Sequence, residues 1–264
     1  MLKSELYKII KSKKSIFFCI LILLIPFIDL IQNIHEESPD TWIGSLPKCE
    51  ISIPSSVCFL SGGSQGHISQ MLLIWILPIY LLLIYSDSYI REIRSGYSAI
   101  IFSKQSRSKI VAAKMTVAFM VPFLVCLVSL ILNFVLVQLI FKGGTDGNIF
   151  VETPFEKMCH YRPNITYLVY ILVFCLIAGG CGVFCMGLSM LFPGKKFVYP
   201  IAFFVWIKQI NASNSLTFAM QPFIEYGPEY IIPALQVFFS IVLVVFLLAF
   251  IKKVKRDEIF KDSF

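Results

Sequence analysis

Three histidines, His35, His67 and His160, with Cys159 beside the last, are the residues of this chain best suited to hold a metal ion. A zinc site needs three or four such ligands at close spacing. Here they are scattered over two polar stretches, so they are read as ordinary loop residues and no metal is expected. Hydrolytic chemistry fares no better. The sequence contains no His-Glu-x-x-His, no Gly-x-Ser-x-Gly and no pair of carboxylates inside an apolar run. Proton-coupled transport is poorly supported for the same reason, since carboxylates are nearly absent from the apolar runs. Polar groups within those runs are functional candidates by default. Asn133 and Gln236 are therefore the candidates for a translocation path, while Asp29 and Gln138 lie close to an outer boundary where solvation explains them. Of the eight cysteines, Cys19, Cys126, Cys175, Cys181 and Cys185 fall in apolar runs, where Cys behaves as a small hydrophobe. Cys49 and Cys58 share one outer loop and form the one candidate disulfide.

Two fragments suggest nucleotide chemistry and do not carry it. Leu60-Ser61-Gly62-Gly63-Ser64-Gln65 echoes the LSGGQ signature of ATP-binding cassettes, yet it stands in an outer loop with no soluble ATPase domain around it. Gly194-Lys195-Lys196 lacks the Ser/Thr and the spaced upstream Gly of a P-loop. The chain is expected to be a non-catalytic membrane subunit that binds no cofactor. The most informative polar stretch is 86–114. Tyr89, Ile90, Ile93, Tyr97, Ile100 and Ile101 recur there at helical spacing among Arg91, Glu92 and Arg94. An amphipathic helix of this kind can press its apolar side into a partner's groove. A basic loop that merely fixes topology is the competing explanation.

The elements that carry these residues follow from composition. Apolar residues make up 57% of the 264 and charged residues 15%, with a mean hydropathy of +0.79. A soluble domain is nearer half apolar and a quarter charged. The excess lies in long continuous runs, which in lipid must be helices, because each backbone polar group has to be satisfied within its own segment. The fold class expected is an all-α integral membrane protein, a single transmembrane domain over 1–264. Its spans are placed at about 16–34, 68–85, 115–141, 165–191, 197–210 and 231–251, with a cytoplasmic loop at 86–114 and outer loops at 35–67 and 142–164. The first 14 residues form an amphipathic elbow: Leu2, Leu6, Ile9 and Ile10 on one face, Lys3, Lys8 and Lys11 on the other. No small-x-small cleavage site follows the first apolar run, so it is read as a retained anchor.

The segment 197–210 is shorter than the roughly 17–25 residues of a usual span. Parity decides in its favour, because both termini are strongly basic and so share the cytoplasmic side. Lys208 then snorkels to the outer interface, and 211–230 dips back without crossing. This topology puts 18 of the 23 Lys and Arg residues inside: five in 1–14, six in 91–114, two at 195–196 and five in 252–261. The same asymmetry accounts for the net charge of +7 without any nucleic acid.

With the spans in place, the run Glu92, Gly96, Ser106, Arg107, Ile110 and Lys114 resembles the loop between spans two and three of the permease subunits of type-two ATP-binding-cassette exporters. The whole plan is similar too: an amphipathic elbow, six spans with both termini cytoplasmic, and a broken segment after span five. Gln105 stands where that family usually has a proline before the Ser-Arg pair. The resemblance implies that this loop is a coupling helix docking on a separate ATPase, which alone binds ATP and magnesium. Tyr89, Glu92, Ile93, Gly96, Tyr97, Ser106 and Arg107 would form the docking surface, with Tyr97 as anchor and Glu92 and Arg107 as orienting charges. It further implies a second permease subunit, identical or paralogous, a location in the bacterial cytoplasmic membrane in contact with lipid, and an amphipathic cargo such as a peptide, a lipid-linked molecule or a drug. A membrane-embedded enzyme or a self-contained carrier is the alternative.

Overall fold

The computed structural model describes residues 2–36, 55, 57–61, 68–140, 156–192, 194–223 and 226–254. Among them there is no strand. Helix α1 (Leu2–Lys11) leads into α2 (Lys13–Glu36). Next come α3 (Ile68–Leu81), a π-helical turn at Leu82–Ser86, α4 (Asp87–Arg94) and α5 (Tyr97–Lys104). The rest is α6 (Arg107–Ile140), α7 (Glu156–Tyr161), α8 (Pro163–Leu191), α9 (Lys195–Ile210), α10 (Thr217–Met220) and α11 (Pro228–Val254). Among the described residues, five stretches are long and apolar enough to cross a membrane: Lys13–Gln32, Ile68–Arg94, Arg107–Ile140, Pro163–Leu191 and Pro228–Val254. The short candidate, α9, has 16 residues and so extends only about 24 Å, less than the roughly 30 Å of a hydrocarbon core.

Four of the long helices carry an internal proline, Pro26, Pro78, Pro122 and Pro233, and the way the first three are accommodated explains the packing. Proline removes the hydrogen bond to the carbonyl four residues earlier and leaves that oxygen without a donor. Pro26 frees Ile22 O, which accepts a hydrogen bond from the Ser129 hydroxyl of α6 at 3.2 Å; the same hydroxyl lies 3.1 Å from Leu23 O. Pro78 frees Ile74 O, which accepts from Trp206 Nε1 of α9 at 2.8 Å. Pro122 frees Ala118 O, and α8 comes so close here that a Cβ on Gly182 would stand 2.0 Å from that oxygen. Only glycine admits that approach, in keeping with small residues at the interfaces of membrane helices. Gly187 does the same against α11, where a Cβ would meet Val245 Cγ1 at 2.7 Å. The small-residue run of α8 thus serves close packing, and α8 is the central helix of the bundle.

Two segments differ from expectation. The stretch 86–114 is almost wholly helical rather than a loop. The helix of span two runs on through the π turn to Arg94, and α6 begins at Arg107, eight residues before the expected span. The π turn exposes carbonyls that hydroxyls then satisfy: Ser15 donates to Ile84 O at 2.6 Å and Ser88 to Tyr85 O at 2.6 Å. The single amphipathic helix suggested by Tyr89 to Ile101 is broken at Gly96, whose φ of +73° no side-chain-bearing residue adopts readily. After α9 the chain forms α10, whose Ala219 and Met220 are buried in the core together with Leu216 just before it.

Candidate functional site

The helix ends that carry the basic segments gather at one end of the bundle. Helices α2, α6 and α9 start there; α4, α8 and α11 finish there. The contacts that show this are ionic. Glu5 of α1 and Glu92 of α4 alternate with Lys8 of α1 and Lys114 of α6 in a closed ring. Lys8 Nζ lies 2.8 Å from Glu5 Oε1 and 2.8 Å from Glu92 Oε1. Lys114 Nζ lies 3.1 Å from Glu5 Oε2 and 2.7 Å from Glu92 Oε2. The Tyr85 hydroxyl donates to Glu5 Oε2 at 2.9 Å. Glu5 and Lys114 are buried, their side chains only 3% and 2% exposed. A second cluster stands beside the ring: buried Asp87 holds Lys14 Nζ of α2 at 3.2 Å and Lys195 Nζ of α9 at 2.7 Å. Lys252 Nζ of α11 caps α8 by donating to Leu191 O at 2.8 Å.

The electrostatics follow from this geometry. Burial pushes the Glu5 carboxyl up, but Lys114, Lys8 and the Tyr85 hydroxyl together outweigh it and hold the group below its ordinary 4.5. Burial pulls Lys8 down, and the hydrogen bonds and charges of Glu5 and Glu92 outweigh it, leaving the ammonium above its ordinary 10.5. Two carboxylates and two ammoniums cancel, so the ring is neutral as a unit, which is how buried charge is tolerated.

The expected docking residues divide in this setting. Tyr89 points inward: it is buried, with Lys114 Nζ 5.4 Å and Lys253 Nζ 5.5 Å from its ring centre. Glu92 is held in the ring and is not available to a partner. Ile93 packs against the core. Gly96 turns the chain from α4 into α5. Tyr97 faces out, 46% exposed, with Lys8 Nζ 5.5 Å from its ring, and Ile100 beside it is 57% exposed. Ser106 is exposed, and its carbonyl accepts the first bond of α6 from Ile110 N–H at 3.3 Å. The missing proline therefore costs the boundary nothing, because Gln105 takes the extended conformation that precedes α6. Arg107 stacks over Phe102 at 5.2 Å. An outward face at Tyr97 and Ile100 thus rides on an inward anchor at Tyr89 and Glu92.

The two translocation-path candidates share no surface of this chain. Asn133 is buried and occupied: its Nδ2 donates to Pro26 O at 2.9 Å and its Oδ1 accepts from Phe59 N–H at 3.2 Å. Gln236 is exposed on the outward face of α11. Gln138 bonds Asn164 Oδ1 at 2.9 Å, while Asp29 is buried and accepts from Ser69 Oγ at 2.8 Å. Cys58 is fully buried, whereas Cys49 lies outside the described residues. His67 also lies outside them, and among the described residues no group of three or more His, Cys, Asp or Glu is placed to hold a metal.

Sequence reasoning missed Glu5, Asp87 and the inward role of Lys114. A signal existed. Glu5 is the lone acid among the first 14 residues and stands four positions before Ile9, on the face that is buried.

No protein-family model matches the chain, and no solved structure matches it. Over 262 residues it is 35% identical to "Uncharacterized protein YybM" of Bacillus subtilis (strain 168), an alignment that covers 97% of this chain and 100% of that one. The chain belongs to the YybM family. Since the match runs the full length of YybM, membership applies to the helical bundle and its charged end together rather than to one part.

Proposed function

We propose that this chain is the permease subunit of an exporter driven by a separate ATP-binding-cassette ATPase, with the charged end of the bundle in the cytoplasm. The observation that carries the proposal is the pair α4–α5. It links two long apolar helices, is fixed to the bundle by a buried ion-pair ring, and still presents Tyr97 and Ile100 outward. A docking element needs both properties: a rigid root that transmits force, and an apolar contact that a partner can bury. The chain itself carries no complete nucleotide-binding motif, so ATP and magnesium belong to the partner. Six crossings with α9 as the short fifth, and both termini inside, agree with the alternating directions of α2, α3, α6, α8, α9 and α11 and with the basic asymmetry. The membrane is then the bacterial cytoplasmic membrane. Two permease subunits enclose the path, and the cargo is amphipathic.

The test is affinity purification of the tagged chain from its native host with quantification of the associated ATPase. Tyr97→Ala combined with Ile100→Ala removes the outward face while leaving the ring intact. The expected result is loss of the ATPase at unchanged permease level. Full retention of the ATPase by the double variant, or no ATPase with the parent, overturns the proposal. Glu92→Ala is unsuitable for this purpose, because it leaves Lys8 and Lys114 to share Glu5 alone and so unbalances the ring.

A further inference from the structure

The outward face of α11 differs from those of the other long exposed helices. Through the middle of α2 and α6 the exposed residues are apolar, as with Ile20, Leu24 and Ile28 or Leu124, Val128 and Leu132. Such surfaces suit lipid tails, which are as apolar as leucine. On α11, Gln236 and Ser240 are exposed instead, and neither side chain hydrogen-bonds any described residue. By contrast, the amides of Gln70, Asn133 and Gln138 each donate within this chain, at 3.4, 2.9 and 2.9 Å. Gln236 stands sixteen residues and Ser240 twelve residues before Lys252 at the charged end, about 24 Å and about 18 Å along the helix. Both depths fall inside the roughly 30 Å of a hydrocarbon core. An amide without a partner is costly there, so polar groups at this depth pack against protein.

The pair belongs to a seam. Gln236, Ser240, Leu243 and Leu247 recur at 4-3-4 spacing and all four are exposed. That is the spacing of a left-handed helix pair, in which a polar seam residue fixes the register. Of the five candidate spans, α11 is also the least buried within this chain. A glutamine amide both donates and accepts, so two identical ones that meet across a two-fold axis satisfy each other. A second copy inserted in the same direction brings Gln236 to Gln236 and Ser240 to Ser240 at equal depth without further design. An unrelated partner would need a polar group at both depths. We propose that α11 is the face on which a second copy of this chain packs, parallel, about an axis normal to the membrane, with the Gln236 side chains of the two copies hydrogen-bonded across it. The inference deepens the two-subunit part of the proposed function, on which it rests, by naming the second subunit as a copy, and its test needs no ATPase.

The experiment co-expresses two full-length copies with different affinity tags, captures one tag in mild detergent and quantifies the other. The parent should capture its copy. Gln236→Leu combined with Ser240→Ala should capture about tenfold less at an unchanged level in the membrane, because both side chains are exposed and the loss is that of interhelical hydrogen bonds. The face is read separately in membranes by oxidation with copper phenanthroline, in chains whose native cysteines are replaced. Gln236→Cys should cross-link the two tagged copies, whereas Leu124→Cys on the exposed face of α6 should not. Equal capture by the parent and the double variant overturns the inference, as does cross-linking of Gln236→Cys to a different protein. The capture comparison keeps the native cysteines and so stands even if the cysteine-replaced chain does not insert. A parent that retains its ATPase yet captures no second copy overturns this inference alone. One that captures its copy through Gln236 and Ser240 with no ATPase overturns the coupling alone.

Discussion

The two ends of the bundle are closed by different chemistry. At one end Glu5, Lys8, Glu92 and Lys114 form a ring of charges, with Asp87 bridging Lys14 and Lys195 beside it. At the other end Asn133, Tyr167 and Gln70 hold the backbone of the buried segment Val57–Ser61 through neutral hydrogen bonds. The difference is one of tolerance to change. A buried ion pair adds little net stability over an apolar replacement, yet removing one member strands the other and is strongly destabilising. A neutral contact to backbone can be lost one bond at a time. The charged end is therefore built to keep one arrangement of α1, α4 and α6, whereas the neutral end depends on no single contact.

Breaking the charged end should give the largest effect. Lys114→Ala leaves Glu5 and Glu92 to share Lys8 alone, an unbalanced buried negative charge, and is expected to destabilise the fold by about 3–5 kcal/mol, measured by chemical unfolding in detergent. Gly182→Ala, in the apolar middle, drives a methyl group into Ala118 O and should cost about 1–3 kcal/mol in the same assay. At the proline of α3, Trp206→Phe keeps an aromatic ring but leaves Ile74 O without its donor, for an expected loss of about 1–2 kcal/mol. The ring also predicts a pH window. The folded-state pKa of Glu5 is lowered, so its contribution is complete above the ordinary 4.5 and is lost as pH falls through the folded value. That of Lys8 is raised, so its contribution is complete below the ordinary 10.5 and is lost as pH rises through the folded value. Unfolding midpoints should be flat between these limits. Glu5→Gln should shrink the acid-side loss, while Tyr167→Phe, which touches only the neutral end, should leave the profile unchanged.

Much of this architecture was legible in the sequence, and the limits of that legibility have a common cause. The long apolar runs placed five helices to within a few residues at most boundaries, because a span must satisfy its own backbone and so declares itself locally. Pro26, Pro78 and Pro122 were visible as well, but not the groups that answer them: Ser129 lies 107 residues from Ile22, and Trp206 lies 132 from Ile74. The amphipathic stretch at Tyr89–Ile101 was visible as a helical pattern. Which of its residues face inward depends on Lys8, 84 positions before Glu92, and on Gly96 turning the chain. Asn133 stood out as an intramembrane amide, but its partners did not, since Pro26 and Phe59 lie 107 and 74 positions away. The burial of 57–61 had a local sign that glycines nearby obscured, namely four apolar residues, Val57-Cys58-Phe59-Leu60, in an otherwise polar stretch.

Coupling to a cytoplasmic ATPase requires that the charged end, with α4 and α5, face the cytoplasm. Ser103 of α5 is exposed there. In a background with the native cysteines replaced, Ser103→Cys should resist a membrane-impermeant maleimide in intact cells and react with it in inside-out vesicles. Labelling in intact cells, with the reverse result in vesicles, would place this end outside and contradict the proposed coupling.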